Sequence, residues 1–197
     1  MSIIALIIFL ILIFGFTFYL LRKNKSSITS IVSHKDNSTY MVKNGADQYE
    51  ALALLEEVRR RINLLEAYFS TNMNKYPEYL PYIKQLLERG RNIKLNENPP
   101  DGNLTSFTLN KGEEMSLCLR SKKDGHFHDI NLIMYVVLHE LSHVACPEEQ
   151  HTKLFKKIFV FFLMIGAQIG IYRPIPFDIQ PVEYCGMTIS ENLLKTG

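Results

Sequence analysis

The chain lacks most of the devices that would mark it as a secreted disulfide scaffold, a polyanion binder or a repeat protein. Three cysteines, Cys118, Cys146 and Cys185, occur in 197 residues. Their odd number and lack of paired spacing argue for a reducing compartment rather than a disulfide framework. Net charge is scarce: the formal balance is +2, too little to imply nucleic acid or an acidic surface as partner. No internal repeat or low-complexity array is visible. What is present is ordinary for a folded protein, with 47% hydrophobic and 21% charged residues, and the length suits one compact domain with some extra.

Charge is wholly missing from residues 2–21, "SIIALIIFLILIFGFTFYLL". As a helix rising ~1.5 Å per residue this run covers about 30 Å, the thickness of a bilayer's hydrocarbon core. A cleavable signal peptide would have a basic start, a shorter apolar stretch and a small-residue cleavage site. None is evident, so a retained single-pass membrane anchor is expected. Arg22, Lys23 and Lys25 follow it, which by the positive-inside tendency places the rest of the chain in the cytoplasm. In that orientation the sequons at Asn24, Asn37 and Asn103 stay unglycosylated.

Residues 22–45 have no sustained apolar period and read as a flexible linker. From residue 46 the pattern changes. Leu55, Val58, Ile62, Leu65 and Phe69 recur at alternating three- and four-residue steps, predicting a helix over 46–72 with one apolar stripe. With so few heptads, a packing helix is expected rather than an oligomerising coiled coil. Arg59, Arg60 and Arg61 read as its solvated flank. A second helix is predicted over 78–89, ended by Gly90. Residues 104–121 alternate about a turn at Asn110, Lys111 and Gly112, the pattern of a β-hairpin. A further helix should begin after Asp129 as N-cap and run to Ala145. A last one is predicted over 148–170. Its run "IFVFFLMIGAQIGIY" is too short for comfort as a second membrane span and reads as a buried core helix. The proline-containing tail beyond it should be mostly irregular, with 191–197 as a terminal extension.

One stretch carries chemistry: "LHELSHVACPEEQH", residues 138–151. His139 and His143 are four apart and share one helix face, so both imidazoles reach one ion at ~2.0–2.1 Å. Glu140 points to the side where a water would sit, as a general base rather than a ligand. An unpaired carboxylate and imidazoles in this apolar run would cost several kcal/mol to bury, a cost that a metal offsets. A catalytic zinc takes three protein ligands and keeps an open position. The candidates for the third are His151, Cys146, Glu148, Glu149 and Glu183. No carboxylate lies in "FVFFLMIGAQ", where a downstream glutamate ligand would be found. His151 is favoured, because the Cys146–Pro147 break can turn the chain and bring its ring back to the first pair. Cys146 suits a small buried residue better. A donor for a developing oxyanion is also needed, and His126, His128, Tyr172, Arg173 and Tyr184 are open candidates. No glycine follows the second histidine as methionine-turn peptidases require, so Met187 is expected to pack.

The hairpin "NKGEEMSLCLR", the helix "INLIMYVVLHELSHVA", "QHTKLF" and the tail "PVEYCGMTI" resemble the WLM (Wss1p-like) metallopeptidases, particularly small WLM-like proteins of large DNA viruses. The resemblance covers residues 48–190. It implies an α+β, zincin-like domain over 46–190, with one zinc bound by His139, His143 and His151 and water activated by Glu140. The best-known members place the third histidine five residues after the second, whereas seven residues intervene here. The expected function is a membrane-anchored zinc metallopeptidase acting on a peptide or protein substrate, with "MSLCLR" as an edge strand for it. The alternatives are a silent, membrane-tethered zinc-binding scaffold and a DNA–protein-crosslink protease. The intact Glu140 argues against the scaffold. The near-neutral charge and the anchor argue against DNA.

Overall fold

The computed structural model describes residues 13–15, 28–98 and 105–195. The expected anchor, residues 2–21, lies outside them apart from three positions. Among the described residues, no helix is long and apolar enough to cross a membrane.

The fold is α+β. A five-stranded mixed sheet is built from β1 (Ile28–Val32), β2 (Thr39–Lys43), β3 (Lys94–Glu97), β4 (Phe107–Leu109) and β5 (Glu114–Leu117), in the order β1-β2-β3-β5-β4. The outer pairs β1–β2 and β4–β5 are antiparallel hairpins, while β2–β3 and β3–β5 run parallel. Among the described residues, four long α-helices complete the domain: α1 (Gln48–Asn72), α2 (Leu80–Arg89), α3 (Ile130–Ala145) and α4 (Lys153–Gln168). A separate hairpin, β6 (Val182–Tyr184) and β7 (Met187–Ile189), follows.

The stripe read from α1 is the stripe that is buried: Leu55, Val58, Ile62, Leu65 and Phe69 are all fully enclosed. Each such side chain contributes about 1.5–3 kcal/mol relative to exposure. The opposite face is polar, yet the arginine triplet is more than a solvated flank. Arg60 and Arg61 pair with Glu57, while Arg59 and Arg61 also reach across to the carbonyls of Ile93 and Ile171. α3 is apolar on nearly every side and buried on nearly every side, as such a helix must be. Asp129 caps it, accepting from the Asn131 amide at 2.8 Å. Residues 158–168 lie in α4, which packs on α3 as a core helix with Ile158, Phe159, Phe162 and Leu163 buried. Gly166 permits that approach, since a Cβ there would meet Leu138 Cδ1 at 3.0 Å. α4 begins later than the expected residue 148, at Lys153, where Thr152 caps it by accepting from the Phe155 amide.

Four expectations are corrected. The linker reading of 22–45 fails over residues 28–43, which form β1 and β2. The signal was the alternation in β2 of buried Tyr40 and Val42 with exposed neighbours, and polar side chains supplement the ladder: Asn96 Oδ1 accepts from the Met41 amide and Glu97 Oε2 from that of Lys43. The C-terminal tail is not mostly irregular, since β6 and β7 pair across a two-residue turn at Cys185 and Gly186, both with positive φ. "MSLCLR" is not an edge: β5 lies between β3 and β4, and β4 is the end strand on that side among the described residues. The cysteines do pair, as a disulfide joins Cys118 to Cys185 across 67 positions and leaves Cys146 free and buried. Spacing cannot reveal this pair, because the two cysteines meet only after β6 folds back beside the end of β5.

Closing a loop of that length in the unfolded chain corresponds to about 4 kcal/mol of stability. Cys118→Ser with Cys185→Ser should lower the unfolding free energy by about that amount in urea titrations. An unreduced wild type and a double variant of equal stability would refute this.

Candidate metal centre and active site

The HELSH segment occupies the last two turns of α3, so His139 and His143 project from one face, half-buried, and Glu140 lies beside them only 6% exposed. The chain then leaves the helix. Cys146 takes an extended conformation ahead of Pro147, as the residue before a proline prefers. Gln150 enters the left-handed region at φ 65°, and this reversal brings His151 back just before the Thr152 cap. Lys111, on the turn between β4 and β5, holds the loop from outside through the Pro147 carbonyl at 3.2 Å and the Glu149 carboxylate at 3.1 Å.

The three rings converge. His151 Nε2 lies 3.0 Å from His139 Nε2 and 3.2 Å from His143 Nε2. A neutral imidazole nitrogen carries either one proton or one in-plane lone pair. Both contacts cannot therefore be ordinary hydrogen bonds through the single His151 Nε2. A cation satisfies all three nitrogens together, and tetrahedral ligands at 2.0–2.1 Å sit about 3.3 Å from one another, close to the separations here. Burial and the neighbouring rings depress the basicity of His139 to about 3 and of His143 to about 4, so both are neutral and ligand-competent at physiological pH. Phe155 stacks on His143 at 4.1 Å, and Phe159 meets His139 edge-on at 5.1 Å. The residues present fit a zinc ion.

Among the described residues, this is the one group of histidines, cysteines or carboxylates arranged to hold a metal. None of the rival third ligands joins the histidine cluster. Cys146 is buried, Glu149 pairs with Lys111, Glu148 is exposed, and Glu183 Oε1 accepts from the Gly186 amide across its own hairpin.

Burial pushes the Glu140 carboxyl up to about 6, opposed by one hydrogen bond, from Thr108 Oγ1 to Glu140 Oε2 at 2.8 Å. The sequence reading missed Thr108. The signal was strand alternation: with Phe107 and Leu109 on one face of β4, Thr108 faces the other way, toward α3. A cleft of about 810 Å³ runs past these groups, lined by the three histidines, Glu140, residues 105–108 and β7. Met187 is exposed in β7 and lines this cleft, which corrects the packing role expected for it.

The WLM domain family matches residues 34–158. An uncharacterized protein of Acanthamoeba polyphaga mimivirus, R325, is 49% identical over 186 residues, 94% of each chain. The chain belongs to the WLM family. A further relative, uncharacterized protein 136R of Invertebrate iridescent virus 6, is 40% identical over 82 residues, 41% of this chain and 43% of that one. The crystal structure of Wss1 from Saccharomyces cerevisiae is similar with a TM-score of 0.48 and 23% identity, covering 66% of this chain and 89% of that one. The WLM family is metallopeptidase-like and in general zinc-dependent, which agrees with the cluster at His139, His143 and His151.

Proposed function

We propose that the chain is a membrane-anchored zinc metallopeptidase in which His139, His143 and His151 hold the metal and Glu140 is the general base. The observation carrying this reading is the convergence of three imidazole Nε2 atoms beside a buried carboxylate in an open cleft. A zinc ion held there supplies Lewis acidity toward a carbonyl and lowers the pKa of water toward ~7. Glu140, kept in place by Thr108, accepts the proton of the attacking water and later gives it to the departing amine. The end strand β4 borders the cleft, so an extended peptide can add to it backbone to backbone, with alternate side chains turned into the cleft. Anchoring rests on the apolar run of residues 2–21 and its basic flank.

A second reading, a protease acting on protein attached to DNA, draws on one observation. Lys111 is shared between the catalytic cleft and an adjoining one of about 660 Å³ that also carries Arg89, Arg91 and Lys94. These arginines and lysines can contact phosphates whatever the overall charge.

The test of both is metal analysis with cleavage profiling of the full chain in detergent. About one zinc per chain is expected, together with peptide cleavage that a chelator abolishes and added zinc restores. Cleavage that rises several-fold with added DNA would select the second reading, and DNA-indifferent cleavage the first. Zinc-free, inactive protein would reject both.

A further inference from the structure

Five side chains are open as the donor to the scissile carbonyl oxygen, and the fold separates them. His126 is exposed in a turn away from the cleft. Tyr172 Oη accepts from the Ile175 amide, and its ring lies in the core. Arg173 is tied through its backbone to Asn131 and does not line the cleft. His128 is buried, and its Nε2 accepts from the Cys185 amide at 3.3 Å. Tyr184 alone of the five lines the cleft that holds the histidines and Glu140.

We propose that Tyr184 is a catalytic residue whose phenol donates to the scissile carbonyl oxygen as that oxygen gains negative charge; this rests on the metallopeptidase reading above. Its hydrogen bond to Ser106 can leave the needed proton available. The Cys118 amide donates to Ser106 Oγ at 2.9 Å, and Ser106 Oγ lies 2.8 Å from Tyr184 Oη. With a lone pair of Ser106 occupied by the amide, its hydroxyl proton can be given to the phenol oxygen. When Ser106 is the donor of that pair, the phenol keeps its own proton beside a cleft that Ser106 also lines. Burial holds the phenol well above its ordinary ionisation range, so it stays protonated.

The position is fixed before substrate arrives. The ring lies against His128 at 4.8 Å. The next residue, Cys185, is both in the tight turn and bonded to Cys118, whose amide polarises Ser106. Donors held this way cost little reorganisation at the moment of reaction.

Tyr184→Phe deletes the hydroxyl and keeps the ring. In the full chain it should lower kcat about 100-fold or more, the usual effect of losing one oxyanion donor. KM should stay within about twofold, and zinc content should be unchanged. In a Glu140→Gln background, which isolates binding from turnover, the same change should weaken a phosphinic peptide, whose tetrahedral anion mimics the charged carbonyl, by about tenfold or more, while an uncleaved peptide binds as before. Ser106→Ala, which keeps the phenol but removes its polarising partner, should lower kcat by less and keeps the test open if Tyr184→Phe does not fold. Unchanged kcat in both variants, or equal weakening of phosphinic and ordinary peptides, would overturn the assignment. Wild-type chain without zinc or cleavage would instead sink the metallopeptidase reading on which it stands.

Discussion

Glu140→Gln is expected to retain its zinc and lose peptide cleavage by about 10²–10⁴-fold, the range for removing a positioned general base. The two side chains have nearly the same shape, and the amide oxygen can still accept from Thr108 as Glu140 Oε2 does at 2.8 Å. Neither packing nor the ligand histidines should change. What is lost is the ability to take a proton. Glu140 is well placed for that task because burial raises its basicity while Thr108 opposes the rise, and a cation on the adjacent imidazoles opposes it further. Metal content by mass spectrometry and turnover of a peptide library, compared between variant and wild type, give the answer. Cleavage at the wild-type rate would remove Glu140 from the mechanism; loss of zinc along with cleavage would make it a ligand instead.

His151→Ala should strip the metal from a domain that otherwise stays folded. The ring is exposed, sits in the loop before α4, and among the described residues makes its polar contacts with His139 and His143. Its removal therefore leaves no cavity in the core and no helix uncapped, because Thr152 caps α4 independently. Zinc affinity should fall by more than the roughly 10–100-fold that accompanies loss of an outer partner of a ligand, since two imidazoles cannot complete a tetrahedral site. Competition with a chelating dye measures the drop, and circular dichroism checks the helices. Affinity within a factor of two of wild type would send the search for the third ligand back to Glu148 and Glu149, which border the same cleft.

The two variants separate the roles. One keeps the metal and loses the chemistry, whereas the other loses both. A silent zinc-binding scaffold predicts that only the second variant has a phenotype.

Several elements were legible because their cause is local. The helical stripe from Leu55 to Phe69, the Asp129 cap, the turn at Asn110–Gly112 and the shared face of His139 and His143 all follow from side-chain periodicity or from hydrogen bonds spanning a few residues. The buried character of α4 was legible too, as an apolar run flanked by lysines and too short to span a bilayer. β1 and β2 were not, because five-residue strands give too short a pattern to stand out and acquire their identity from a partner strand, and β2 finds β3 some fifty residues away.

By itself the sequence determined the chemistry available: two imidazoles and a carboxylate on one helix turn, with a third imidazole beyond a break. Tertiary structure decided how that chemistry is assembled. It turned the chain at Gln150 to close the histidine cluster, set Thr108 of an edge strand on Glu140 from 32 positions away, and bonded Cys118 to Cys185 so that Tyr184 borders the cleft. The division has a single physical origin. Backbone geometry fixes which side chains share a face of one element, but only the burial of whole faces against each other fixes which elements meet.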